Sequence, residues 1–308
     1  MHETVRTAFP AFSEPLEGRL NFMYLDIKSL VSTGVGNLLD ADDPEHFGTR
    51  PVPLADIFTL DWSRNGVPAG REEIEEEYRR VKFSGMAHAT VEQKRQFAGL
   101  HISEAAIDAL VTRKLDAFET GLRRRQEFGQ YDGWPADGQL GLLSMAWAMG
   151  DAFRGFPEFE KAAGRGDWLT MARECRMRES DNPGVIPRNV RNALLFTYAG
   201  WQVSHPPGDF TQLVFEPTVG LADHLRSRRG PLPLNLMIGL QAALEAMNFD
   251  PKGLDGRVGT NTRAALTAYQ STHGLTQTPE VKGIDDVPQE TITHLATRLD
   301  AAGIGRFP

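Results

Sequence analysis

"EGRLNFMYLDIKSLVSTGVGNLL", residues Glu17 to Leu39, carries the decision about the fold. Glu17 lies at the end of a short helical stretch, EPLEG. NFMYLDI alternates apolar and polar residues at the period of a strand, and Asp26 stands where that strand enters a turn. Gly34 and Gly36 then permit a tight return. The result is a small β-hairpin in a chain that is helical by pattern almost everywhere else.

Cleaving a glycosidic bond requires one protonated carboxyl to give a proton to the leaving oxygen. It also requires an ionised carboxylate to activate water or to face developing positive charge. Glu17 and Asp26 offer such a pair, in two environments that suit two roles. Ser32 or Thr33 would hold the attacking water, and Gly34 and Gly36 would let backbone approach a sugar ring. As spacing alone, a glutamate and an aspartate nine residues apart fit an ordinary surface hairpin just as well.

At 308 residues the chain has the length of two domains, and 41% hydrophobic residues suffice for a core in each. No run approaches the roughly 20 apolar residues that a membrane span needs. The opening MHETVRTAFPAFSEPLEG has neither a basic nor an apolar leader segment, so synthesis without a signal peptide is expected. A net charge of −8 opposes a nucleic-acid partner. Cys175 is the single cysteine, which excludes an internal disulfide or a thiolate cluster and leaves it a packing role. With no H-E-x-x-H, G-x-S-x-G or Walker loop, neither a metal nor a cofactor is expected.

Residues 40–70 read as loops, DADDPEHFGTRPVP and SRNGVPAG, around the apolar piece LADIFTLDW. Helices are predicted over 71–83 and 91–98, and Ser103 is a candidate N-cap for a helix of about twenty residues. The run REEIEEEYRR and the triplet Arg123, Arg124 and Arg125 are solvated helix faces. After a turn at QYDGWPADG, the segment LGLLSMAWAMG is apolar around most of its circumference, so a buried central helix is expected, with Met145, Trp147 and Met149 in the core. Shorter helices are predicted over 157–164, 167–178 and 187–200, and a linker near 226–233, where SRRGPLP has charge, Gly and Pro without periodicity. Three amphipathic segments come last, LNLMIGLQAALEAM, TRAALTAYQSTHG and PQETITHLATRL, and they make a small bundle.

Residues Glu17 to Leu39 resemble the signature of bacteriophage-type lysozymes, glycoside hydrolase family 24, with Glu17, Gly18, Tyr24, Asp26, Gly34, Gly36, Leu38 and Leu39 in step without a gap. LGLLSMAWAMGDAFRGFPEFEKAAGRGDWLTMARE resembles that family's buried central helix, its Gly-Phe turn and the helix that opens near a tryptophan. IPRNVRNALLFTYAGW resembles the later helix whose arginines face the catalytic glutamate, which would make Arg188 and Arg191 those arginines and Arg188 the partner of Glu17. The chain departs from the pattern twice. Ser32 stands where threonine is usual, with Thr33 one step later, and Asn37 stands where histidine is usual. The stretch 40–136 is longer than usual and unmatched.

The C-terminal segment resembles the peptidoglycan-binding domain 1 type, through Leu240, Gln241, Asp255, Gly256, Gly259, Thr262, Ala265, Tyr269, Gln270, Gly274 and Leu275. Asp-Gly-x-x-Gly also serves a turn, and Leu244, Leu266 and Leu295 serve the core, so only an exposed polar rim would touch cell wall. Together the resemblances imply a mainly α, lysozyme-like α+β catalytic domain over 1–228 and a three-helix wall-binding domain over 229–308. The implied activity is that of a muramidase hydrolysing the β-1,4 bond between N-acetylmuramic acid and N-acetylglucosamine with inversion, Glu17 as acid and Asp26 with Ser32 on the water. A lytic transglycosylase and a non-catalytic wall-binding protein on a decayed lysozyme scaffold are the competing readings. The expected partners of this monomer are peptidoglycan and either an immunity protein that blocks the cleft or a secretion-machine component. It would act in the periplasm or cell wall after delivery by a phage holin or a secretion machine.

Overall fold

The computed structural model describes residues 1–40, 53–150, 155–178, 185–215, 221–227 and 233–302. The expected loop at 41–52 and the centre of the expected linker, 228–232, lie outside the described residues. The fold is mainly α with a small antiparallel sheet, as the sequence pattern predicts. The chain divides into two compact units, Met1–Leu16 with Ala117–Pro308, and Glu17–Asp116. Among the described residues no helix is long and apolar enough to cross a membrane.

The first helix, α1 (Glu3–Glu17), is far longer than the EPLEG turn expected from sequence. Pro10 and Pro15 lie inside it and argue against a continuous helix locally. Burial decides otherwise: Val5, Phe9 and Phe12 recur at helical spacing and are fully buried, with the Phe9 ring 4.9 Å from that of Trp147.

In the second unit, β1 (Leu20–Leu25), β2 (Val31–Gly34) and β3 (Asn37–Leu38) form the predicted hairpin and extend it by one short strand. Tyr24 pairs with Ser32 and Leu25 with Val31, while Ser32 pairs with Leu38 and Thr33 with Asn37. SRNGVPAG, expected as loop, is a second hairpin of β4 (Ser63–Arg64) and β5 (Val67–Pro68). Its Asn65 and Gly66 both have positive φ, 51° and 81°, the turn that the Asn-Gly pair favours. His101 joins the two sheets through bridges to Phe22 and Ser63. The helices α2 (Arg71–Lys82) and α3 (Val91–Phe97) pack on β1, and α4 (Glu104–Arg123) starts at Ser103, whose hydroxyl accepts the Ala106 N–H at 3.1 Å.

In the other unit, α5 (Ala136–Met149) is the expected buried helix, with Met145 and Trp147 in the core and Met149 only half-buried at its end. On it packs α8 (Ile186–Ser204), with α7 (Trp168–Glu174) against α8 and α6 (Pro157–Arg165) against α7. A Cβ on Gly138 would stand 2.6 Å from the Trp168 ring, and one on Gly141 2.9 Å from the Phe196 ring, so α5 carries glycine where its neighbours come closest. Cys175 is buried, and burial pushes its thiol well above the usual range, in keeping with a packing role. The remaining helices are α9 (Leu221–Ser227), α10 (Pro233–Ala246), α11 (Thr260–Thr272) and α12 (Gln289–Ala301). The last three are the predicted bundle, and α9 packs on both α10 and α12. This bundle is fastened to the segment just after α7 by the Arg176–Glu245 ion pair and to α8 by the Thr197 hydroxyl, which donates to the Leu254 carbonyl at 3.0 Å.

Asp137, in the first turn of α5, is fully buried, and its carboxylate accepts the N–H groups of Val214 at 2.9 Å and Phe215 at 2.8 Å. Burial, only partly offset by these bonds, pushes it up to about 7. A folded-state value above the unfolded one stabilises fully below about pH 4, and the stabilisation is lost as pH rises through about 7. Denaturant unfolding of wild type should therefore show stability falling across that window, with Asp137→Asn flattening the slope. An equal slope in both proteins would refute the assignment.

Candidate functional site

Glu17 ends α1, and Gly18, at φ 77°, breaks the helix after it. Across from it lies Gly36, at φ 65°, where an added Cβ would stand 3.2 Å from Glu17 Oε2. Glycine at 36 thus serves the turn and also the close approach of a carboxylate. Gly34, at φ 63°, is held by Asn37, whose side-chain oxygen accepts the Val35 N–H at 3.2 Å. Asn37 therefore closes the loop between β2 and β3.

Asp26 shapes its own turn. Its Oδ1 accepts the N–H groups of Lys28 and Leu30, each at 2.8 Å, its backbone N–H donates to the Leu30 carbonyl, and its carbonyl accepts from Ser29. Tyr24 lies two residues before it on β1, and burial, then the negative charges of Glu17 and Asp26, push its phenol well above the usual range. Both carboxylates are thus near one phenol.

Residues paired directly across antiparallel strands project from the same face, so Ser32 shares the face of Tyr24 and Thr33 takes the other. Ser32 makes no side-chain hydrogen bond among the described residues and is 5% exposed. Thr33 is fully buried, and its hydroxyl reaches back to the Leu20 carbonyl at 3.4 Å. Strand geometry separates what the sequence left open: the hydroxyl on the Tyr24 face is Ser32.

Arg188 and Arg191 belong to the other unit, on α8, and both are buried. Arg188 donates from Nη1 to the carbonyl and hydroxyl of Ser144 at 3.0 and 3.3 Å. Arg191 donates to the Phe12 carbonyl at 2.7 Å and lies 5.2 Å from the centre of that ring. Burial, then the Arg188 charge, pulls Arg191 down to about 9, so it stays cationic at neutral pH.

Three lysines that local sequence did not single out meet the hairpin. Lys94 on α3 lies 5.8 Å from the centre of the Tyr24 ring, and burial, partly offset by the Asp26 charge, pulls its ammonium below the usual lysine range. Lys114 on α4 donates to the Gly36 carbonyl at 3.0 Å, and Lys82 on α2 donates to the Ser29 carbonyl at 2.8 Å. Each comes from a part of the chain remote from the hairpin, so no motif spacing announces it.

The second constellation lies in the C-terminal bundle. Buried Gln241 on α10 donates to Asp255 Oδ1 at 3.0 Å, the Arg257 carbonyl at 3.1 Å and the Thr262 hydroxyl at 3.0 Å, and it accepts the Gly256 N–H at 2.9 Å. One side chain therefore moulds the Asp255-Gly256-x-x-Gly259 loop. Gln270 does the same at the other end of α11, meeting the Thr278 hydroxyl at 3.0 Å, the Thr291 hydroxyl at 3.2 Å and the Thr278 N–H at 3.1 Å. Tyr269 is buried against Phe249, with its hydroxyl 2.7 Å from His294 Nδ1. Thr262, Tyr269 and Gln270 thus hold the module together, while Arg257, Gly259, Thr260 and Asn261 supply its exposed rim.

Residues 235–281 match the family model described as "Putative peptidoglycan binding domain". That match spans α10, the moulded loop and α11, and it supports association with the cell wall. No curated protein and no solved structure matches the chain.

Gln241→Leu keeps the apolar volume but removes every bond that shapes the loop. It should lower stability by about 2–3 kcal/mol, measured by denaturant unfolding, and weaken pelleting with purified peptidoglycan. A variant as stable as wild type would contradict the role given to Gln241.

Proposed function

We propose that the protein is a peptidoglycan hydrolase, a muramidase that cleaves the β-1,4 bond between N-acetylmuramic acid and N-acetylglucosamine. The observation that carries this reading is the grouping on the hairpin: Glu17 against Gly36, Tyr24 directly paired with Ser32 across the sheet, and the charges of both Glu17 and Asp26 felt at the Tyr24 phenol. The ungapped resemblance of Glu17 to Leu39 to bacteriophage-type lysozymes supports it from the sequence side. The wall-binding module supplies the same polymer as its target.

In this reading Glu17 gives a proton to the glycosidic oxygen as the bond to the sugar carbon breaks. Asp26, with Oδ1 fixed by its own turn, uses Oδ2 to take a proton from water as that water attacks the sugar carbon from the opposite face, and the Ser32 hydroxyl orients the water. Inversion by this route calls for carboxyls about 6.5–9.5 Å apart, room for the water between them. Retention of the protein on its substrate by the C-terminal module raises the local concentration of scissile bonds.

The turn-forming role of Asp26 favours one competitor. If Oδ1 bonding is all that Asp26 contributes, Glu17 acts alone as in a lytic transglycosylase, with the muramyl hydroxyl replacing water. Turbidity loss of purified peptidoglycan addresses the role of each group. Glu17→Gln and Asp26→Asn should each slow clearing by about 100-fold or more. Ser32→Ala should slow it about tenfold while Thr33→Val stays within about twofold, because one hydroxyl is on the reacting face and the other is not. Clearing by Glu17→Gln at the wild-type rate would remove the catalytic assignment.

A further inference from the structure

The stretch after the hairpin has no counterpart in the resemblance, yet its helix α2 grips the turn that carries Asp26, directly at Ser29 and through Asp40 at Val31. Lys82 Nζ donates to the Ser29 carbonyl at 2.8 Å and to Asp40 Oδ2 at 2.7 Å. That same Asp40 oxygen accepts the Val31 N–H at 2.7 Å, and the Tyr78 hydroxyl donates to Asp40 Oδ1. Between the two gripped points lies Leu30, whose N–H donates to Asp26, and the N–H of Ser29 donates to the Asp26 carbonyl.

Ser29 has φ 61°, a conformation that costs a residue with a side chain and persists only where its surroundings enforce it. Its surroundings here are a lysine on its carbonyl and the Asp26 turn on its N–H. Asp40 is 2% exposed and the Lys82 side chain 9%, so the grip is shielded from water, where a charge-assisted hydrogen bond is stronger than at a surface. Isolated at a protein surface, a five-residue turn closed by one aspartate would sample several geometries; clamped at Ser29 and Val31, it has one.

We propose that Lys82, acting with Asp40 and Tyr78, is a positioning residue that fixes the Asp26 carboxylate for reaction, so that helix α2 is part of the catalytic apparatus. This proposal rests on the hydrolase reading for its catalytic consequence, but the clamp itself is testable without activity.

The test uses the full-length chain and two readouts. Lys82→Met should speed deuterium exchange in the peptide covering residues 26–31 by about tenfold. On a soluble peptidoglycan glycan oligomer it should lower kcat by about 10- to 100-fold with KM within about twofold, because a misplaced catalytic group costs rate and leaves binding intact. Lys82→Arg, which keeps a cation within reach of Ser29 and Asp40, should restore most of both. Removing Lys82 alone strips a buried carboxylate of its cation, so the double variant Lys82→Met with Asp40→Asn, which removes both charges, guards against simple misfolding and should show the same two changes. Unchanged exchange and unchanged kcat in these variants overturn the proposal. So does a kcat loss that comes with unchanged exchange. If Glu17→Gln is as active as wild type, the hydrolase reading falls, and the exchange result alone then decides whether the clamp exists.

Discussion

Trp168 is wedged between two helices that have no side chain to oppose it. A Cβ on Gly138 of α5 would come within 2.6 Å of its ring, and one on Gly200 of α8 within 2.7 Å of its own Cβ. Gly141 makes the equivalent allowance for Phe196. Because α5 is apolar around most of its circumference, it is stable only if wrapped, and these glycines let α7 and α8 close on it. The bundle at the C-terminal end is fastened to α8 and to the segment after α7, and the wall-binding module shares a compact unit with the central helix.

Much of this was legible in the sequence, for reasons particular to each element. The pattern of α5 to α8 is strong because one face or most of the circumference is apolar, and the hairpin is announced by alternation and two glycines. The bundle is announced by Gln241 and Asp255-Gly256-x-x-Gly259, which are spaced as they are because one glutamine must reach the loop that they form. Three features were not legible. The continuity of α1 through Pro10 and Pro15 comes from burial of Val5, Phe9 and Phe12, a tertiary effect that outweighs local propensity. The hairpin at Ser63–Pro68 needed the Asn65-Gly66 turn to be weighed above its flanking polar residues. The lysines around the first hairpin arrive from distant helices, and no local pattern encodes where a distant side chain ends.

At the candidate site the sequence named the residue types, and the structure shows where each side chain lies. Asn37 and Gly34 make the loop, Gly36 makes room for Glu17, Thr33 turns inward, and Ser32 is left on the face of Tyr24. Asp26 shapes its own turn through Oδ1. In the C-terminal module Gln241, Thr262 and Gln270 of the sequence signature likewise fall on the inside, and they support the exposed rim of Arg257, Gly259, Thr260 and Asn261.

Delivery of water by Asp26 and Ser32 is the step on which the proposed chemistry depends. Mass spectrometry of the soluble fragments released from purified peptidoglycan reads this directly. Hydrolysis predicts muropeptides ending in free, reducible N-acetylmuramic acid; fragments ending in 1,6-anhydro-N-acetylmuramic acid, or no fragments at all, would contradict it.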